Sequence, residues 1–299
     1  STEISFRGIG LHSGKNSIIN IMPAKENEGI VFKRVDLSKN NLVKANFNYV
    51  SSAKLCTTLE NNHGVKVSTV EHLLAALYIK GIDNAIVEID NEEVPIMDGS
   101  SKDFLAVLEN TSLIDQTKKR KYLKISKKIE LIDGNRRISI EPNNSSLEVS
   151  FQLNYENKII GKQKNVIDFQ KDKLEEVFSS RTFCLYEDIE KIKKFGLAKG
   201  GSLDNAVVVD KDKVLNEGGL RNKKEFVNHK ILDLAGDFLL SGYRIIGKVA
   251  CYQGGHELTN LFLRKLFSKK IAFQVLELKD FNVSKKFHSK ELDKIAVNA

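Results

Sequence analysis

Tryptophan is absent from this 299-residue chain, and proline and cysteine each occur only 3 times. Cys56, Cys184 and Cys251 are odd in number, far apart and without a C-x-x-C pair. Neither a disulfide framework nor a thiolate zinc site can be read from them, and a reducing compartment is expected. No apolar run approaches the roughly 20 residues needed to cross a bilayer. No secretory leader opens the chain. A cytoplasmic chain without stable membrane insertion is therefore expected. The first residue is Ser1, so a few N-terminal residues are expected to be missing. Gly8-Ile9-Gly10 has neither the G-x-G-x-x-G nor the Walker continuation, so no nucleotide-phosphate loop is read. No repeat and no low-complexity tract stands out. The heavy use of Lys, Asn and Ile reads as coding bias.

What is present is ordinary globular material: 41% hydrophobic and 29% charged residues, long enough for one large or two medium domains. A net charge of +8 favours anionic partners: nucleic acid, an acidic membrane surface or a phosphorylated substrate. The excess is local, in Lys118 to Lys121, Lys127-Lys128, Arg264 to Lys270 and Lys285-Lys286. Any one of these clusters also reads as a solvated face. Nucleic acid is not expected, because no aromatic-basic signature or recognition helix appears.

Asn16 to Met22 and Ala85 to Ile89 alternate like half-buried strands. Thr69 to Ile79 reads as a helix with Ser68 as N-cap and Gly81 past its end. Glu88 to Ile96 reads as a hairpin, and Asp98 to Ser101 as a turn into a helix over Lys102 to Glu109. The polar, basic stretch Thr111 to Lys121 reads as a domain boundary. Beyond it, strands are expected at Tyr122–Ile125, Ile138–Ile140, Leu147–Leu153, Ile246–Tyr252 and Ile271–Leu278. Helices are expected at Lys173–Val177, Glu187–Phe195, Lys224–Ser241 and Glu257–Phe267. The fold class is α+β, with sheet-and-helix layers.

Four segments carry chemistry. His229 and Asp233 stand four apart on a predicted helix, with Asp237 continuing the same side. That spacing chelates a metal or makes an ion pair on a wet face. Ser68-Thr69-Val70-Glu71-His72 is either a capping box or a ligand histidine beside a carboxylate base. Gly254-Gly255-His256 places a histidine at a strand end or in a surface turn. Ser179 to Phe183 is a polar cluster ending in an aromatic, or an ordinary loop. His12, His63 and His288 lack partners at metal spacing and read as surface or core residues.

Taken together, the segments resemble the UDP-3-O-acyl-N-acetylglucosamine deacetylases, zinc enzymes of lipid A synthesis. The resemblance runs almost end to end. It rests on Arg7 to Lys15, Ser68 to Leu73, Pro95 to Ser100, Ser180 to Phe183, Gly200 to Ser202, Val207 to Asp210, His229-Lys230 with Asp233 and Asp237, and Gly255-His256. No motif position departs from the pattern. The resemblance implies two α+β domains, residues 1–115 and 121–299, each a two-layer sheet-and-helix sandwich facing the other across the active site. It further implies a β-α-β insert near 182–210 that forms an apolar tunnel for the acyl chain. Lys199 in that insert has no assigned role, being at the tunnel rim or in solvent.

The resemblance also implies residue roles. His72, His229 and Asp233 are the zinc ligands, leaving room for water, and Glu71 is the general base. Thr182 stabilises the oxyanion. His256 supports the leaving amine as a cation, oriented by Asp237. Lys230 lies beside the intermediate or the substrate's phosphates. Leu55, Cys56 and Phe183 line the pocket, with Phe183 near the tunnel. Iron(II) accepts a similar ligand set. The basic charge suits a diphosphate substrate, and a monomer is expected. The rival readings are a basic nucleic-acid-binding protein and a zinc amidase acting on a different acylated sugar.

Overall fold

The computed structural model describes residues 4–278; Lys285-Lys286 and His288 lie outside them. The N-terminal part contributes β1 (Ile4–Ile9), β2 (Asn16–Pro23), β3 (Ile30–Arg34), β4 (Leu42–Lys44), β5 (Val50–Ser52), β6 (Thr58–Glu60), β7 (Lys66–Val67), α1 (Glu71–Lys80), β8 (Ala85–Ile89) and α2 (Lys102–Glu109). Five of these strands form a sheet ordered β1-β2-β8-β3-β4, while β5, β6 and β7 make a small separate one. The alternation in β2 and β8 does what the pleat requires: Ile19, Ile21, Ala85, Val87 and Ile89 point inward and are buried. α1 is buried from Glu71 to Tyr78, so it is an interior helix rather than a surface one.

The remainder contributes β9 (Arg120–Ile125), β10 (Ile129–Asp133), β11 (Arg136–Glu141), β12 (Leu147–Asn154), β13 (Lys162–Asp168), α3 (Glu175–Phe178), β14 (Phe183–Leu185), α4 (Tyr186–Lys194), β15 (Val207–Asp210), β16 (Lys213–Val214), α5 (Glu225–Leu239), β17 (Arg244–Tyr252), α6 (His256–Ser268) and β18 (Phe273–Leu278). A 7-stranded sheet runs β10-β11-β17-β12-β13, with β9 and β18 joined alongside the start of β17. β17 is its spine, pairing in parallel with β9 through Arg244 to Ile246 and with β12 through Gly247 to Tyr252. β14 and β15 pair in parallel around α4, giving a β-α-β unit, and β16 adds an antiparallel strand.

α5 packs on β12 and β13 and, on its other side, against α1. Gly236 makes that crossing close. A Cβ there would lie 2.1 Å from the Glu71 carbonyl oxygen, so only glycine lets the two backbones meet. One buried cluster of side chains runs from Ile4 and Phe6 through both helices to Leu263 and Leu266.

Two local expectations need correction. Ser68 is not the cap of α1: Val70 occupies that position without a side-chain cap bond, and the Ser68 hydroxyl donates to the Glu92 carbonyl. Thr69 takes a left-handed backbone, φ +56°, which breaks the capping geometry before Glu71. Glu88 to Ile96 is not a hairpin either. Beyond β8 the chain turns away: the Val94 amide donates to Ser68 and the Ile96 amide to Ile9.

Candidate active site

The crossing of α1 and α5 brings together residues far apart in the chain. Glu71 and His72 are the first two residues of α1. His229, Asp233 and Asp237 follow one another at four-residue intervals along α5, on the face that meets α1. His256 opens α6 directly after β17. All six are buried. Titratable groups in such a position need partners, because an unpaired buried charge is costly.

The partners converge on Asp233. Its Oδ1 lies 3.4 Å from His72 Nε2 and 3.3 Å from His229 Nε2, yet it is buried without a hydrogen-bond partner among the described residues. Its Oδ2 is taken by the Lys230 ammonium at 2.9 Å. His229 Nδ1 faces the Ser180 carbonyl at 3.0 Å. A proton on that nitrogen satisfies the carbonyl and leaves the Nε2 lone pair aimed into the cluster. Burial, only partly offset by Asp233, pushes the His229 pKa down to about 3, so the ring is neutral. Burial alone would raise Asp233, but its surroundings, with the Lys230 ammonium on Oδ2, outweigh it and hold the carboxyl well below its ordinary value. Two imidazoles and one carboxylate, with ligand atoms within 4.8 Å of one another, fit a divalent cation and leave a coordination position open.

Beside this cluster stands an acid–base arrangement. His256 Nδ1 hydrogen-bonds Asp237 Oδ2 at 2.7 Å, and its Nε2 faces Glu71 Oε1 at 3.5 Å. Burial opposes the imidazolium, but Asp237 and then Glu71 dominate and raise His256 to about 10. Burial raises Glu71, against the pull of His256 and His72. Lys230 is raised too: desolvation works against its charge, and Asp233 outweighs it.

Thr182 is carried by two separate ties. Its amide donates to the Gly99 carbonyl at 2.8 Å, where Gly99 sits at φ +83° and a Cβ would come 2.0 Å from the Asn205 carbonyl oxygen. The preceding residue, Arg181, is buried and clamps Glu225, the first residue of α5, at 2.8 Å. Phe183 nests against Phe226 at 4.9 Å and Tyr155 at 6.0 Å, with the Lys230 ammonium 5.6 Å above its ring. Leu55 is half exposed at a left-handed φ of +70°. Cys56 is buried, and desolvation plus the nearby Glu71 pushes its thiol up to about 12, so it is an uncharged wall. Lys199 is exposed; its amide donates to the His12 carbonyl. Lys118 to Lys121 line a different groove, with Tyr243, Phe267 and Leu278.

Sequence reasoning missed several contributors. His63 is exposed as a surface histidine should be, but His12 is buried, with Nε2 unpartnered among the described residues. Burial lowers its pKa; Glu93 opposes that shift and His256 adds to it. Thr57 bonds Glu71 and Asp237, while Ser180 and Arg181, inside a segment the sequence did single out, bond His229 and Glu225. No local spacing could have signalled those contacts.

A buried His-His-Asp cluster with a carboxylate and an imidazolium at its edge could hold one divalent cation beside an acid–base pair, the combination that metal-assisted hydrolysis needs. The particular family follows from comparison with known proteins. Residues 1–268 match the LpxC family model, UDP-3-O-acyl N-acetylglycosamine deacetylase. A UDP-3-O-acyl-N-acetylglucosamine deacetylase of Haemophilus ducreyi is 38% identical over 91% of this chain and 90% of its own length. The enzyme of the same name from Pasteurella multocida is 40% identical over 93% and 92%. That from Legionella pneumophila is 41% identical over 91% and 90%. The chain belongs to the UDP-3-O-acyl N-acetylglycosamine deacetylase family.

Proposed function

We propose that this chain hydrolyses the N-acetyl amide of UDP-3-O-acyl-N-acetylglucosamine in lipid A biosynthesis, releasing acetate and a free amine, with zinc held by His72, His229 and Asp233. One observation carries the reading: two imidazole Nε2 atoms converge on a buried Asp233 oxygen that has no other described partner, in a chain of a deacetylase family. The mixed nitrogen and oxygen donor set suits zinc, and iron(II) by the same chemistry. When bound, the metal supplies Lewis acidity, lowering the pKa of water toward ~7 and polarising the acetyl carbonyl.

The remaining work belongs to the chain. Glu71, ionised, takes a proton from the attacking water. The Thr182 hydroxyl donates to the oxyanion that forms at the former carbonyl. His256 enters protonated and passes its Nε2 proton to the departing nitrogen as the C–N bond breaks. Asp237 holds the opposite ring nitrogen and keeps the ring turned. Lys230 neutralises Asp233 and reaches toward the oxyanion or the substrate's phosphates. Leu55, Cys56 and Phe183 line the pocket, and the β-α-β unit of β14, α4 and β15 forms the acyl tunnel. α4 buries none of its residues, and its first residue, Tyr186, and Phe195 just past its end are exposed, which leaves apolar surface for an acyl chain.

We place the domains at residues 1–115 and 121–299 and the protein in the cytoplasm; no helix among the described residues is long and apolar enough to cross a membrane. A monomer, and no nucleic acid as a partner, remain part of this reading. The test is acetate release from UDP-3-O-acyl-N-acetylglucosamine by zinc-loaded enzyme, with and without a chelator. Turnover that disappears on chelation and returns with zinc is expected. Turnover of a different N-acylated sugar in its place would overturn the substrate, and chelator-resistant turnover would overturn the metal.

A further inference from the structure

Between the base and the acid lies a residue to which no role has been assigned. Thr57 sits in the short segment just before β6, two residues after the left-handed Leu55, and is buried. Its amide donates to Glu71 Oε2 at 3.1 Å. Its hydroxyl donates to Asp237 Oδ1 at 2.7 Å. Its carbonyl accepts from the Val70 amide, immediately before α1, at 3.5 Å. Each carboxylate therefore spends one oxygen on Thr57 and turns the other toward His256: Glu71 Oε1 to Nε2 at 3.5 Å and Asp237 Oδ2 to Nδ1 at 2.7 Å.

We propose that Thr57 is the positioning residue that keeps the general base and the acid's carboxylate partner in register, one through its amide and the other through its hydroxyl. Glu71 comes from α1 and Asp237 from α5. The packing of those helices fixes their backbones but leaves each carboxylate free to rotate. A carboxylate rotated away from His256 would let the imidazole turn and spoil proton delivery, and misplacement by about 1 Å costs roughly a hundredfold in rate. Among the described residues the Thr57 amide and hydroxyl bond Glu71 and Asp237, with no hydrogen bond to His72, His229 or Asp233, so it acts through the two carboxylates.

The inference rests on the deacetylase reading, and the experiment separates the two. Thr57→Val keeps the β-branched shape and the amide and removes only the hydroxyl; Thr57→Ser restores it. In zinc-loaded full-length enzyme, Thr57→Val is expected to lower kcat about 10- to 100-fold, with KM within about twofold and zinc content unchanged, while Thr57→Ser recovers most of the rate. The second readout needs no substrate. The hydrogen-bonded Nδ1 proton of His256 should give a downfield NMR signal in wild type, assigned by its loss in His256→Ala. That signal should shift or broaden in Thr57→Val and return in Thr57→Ser. Wild-type kcat and an unmoved signal in Thr57→Val would overturn the proposal, as would equal losses in Val and Ser variants. A wild type that releases no acetate would overturn the substrate reading alone, because the imidazole signal still reports on Thr57.

Discussion

His256 carries two carboxylates on opposite edges of one ring, and its proton sits near the middle of the chemistry. The proposed mechanism needs Glu71 ionised and His256 protonated, so rate should follow a bell in pH, reporting macroscopic values of a coupled site. Burial raises Glu71 above the ordinary carboxylate range, which moves the acidic limb upward. His256 is raised to about 10, against burial, by Asp237 first, which moves the alkaline limb upward. Removing the Asp237 charge takes away stabilisation of the imidazolium, so its pKa must fall. Asp237→Asn should therefore narrow the bell from the alkaline side by at least one pH unit in kcat profiles, roughly the effect of one close opposite charge. An alkaline limb that stays in place would remove Asp237 from this role. The α5 residues were readable in the sequence because His229, Asp233 and Asp237 recur at helical spacing. Thr57 was not, since its partners stand 14 and 180 residues away. Glu71 and His72 were readable only as one of two alternatives, because a capping box and a catalytic pair use the same letters.

The elements that hold these residues depend on one close approach. Gly236 lets α5 meet the first turn of α1, and an added Cβ would lie 2.1 Å from the Glu71 carbonyl oxygen and 3.1 Å from the Ala75 amide nitrogen. Both are backbone atoms, so α1 as a whole would have to move. Gly236→Ala should cost about 1–3 kcal/mol in overpacking, offset slightly by the better helix propensity of alanine. The functional signature should be larger, because Glu71 and His72 move with α1. Zinc affinity and kcat should fall together, measured by metal titration and acetate release. A variant with lowered Tm but wild-type zinc affinity would mean that the first turn of α1 is not set by this contact. The longer helices were visible in advance: α2 matches its expected bounds, and α4, α5 and α6, with strand β17, fall within a few residues of theirs. β4 to β7 were not foreseen, being only two or three residues long, too short for an alternating pattern to show; β1, β3, β10 and β13, of five to seven residues, were missed as well. The β-α-β unit could be placed only by family resemblance, because its strands β14 and β15 are three and four residues long, although α4 itself was legible.

At the scale of the molecule, the chain's early and late parts are tied at several points. Asp83 accepts from Arg120 at 2.6 Å and from Arg244 at 3.0 Å, and Asp98 accepts from Arg221 at 2.7 Å. The proposed metal adds a further tie, since His72 belongs to α1 and His229 and Asp233 to α5. Without a cation, the Asp233 oxygen between the two imidazoles has no described hydrogen-bond partner, and that desolvation weakens the junction. With a cation, binding free energy becomes folding free energy. At a hundredfold excess over Kd the gain is about 2.7 kcal/mol, or about 4 °C in Tm for a protein of this size. Chelation of the purified enzyme should therefore lower Tm by that order, and added zinc should restore it. In His72→Ala the zinc-dependent increment should shrink sharply, because the ligand from α1 is gone and the cation no longer links the two helices. A thermal scan of wild type that is identical with and without chelator would show that the cluster does not hold a stabilising ion. An increment undiminished in His72→Ala would show that α5 alone binds the ion and that the crossing of α1 and α5 is held by packing.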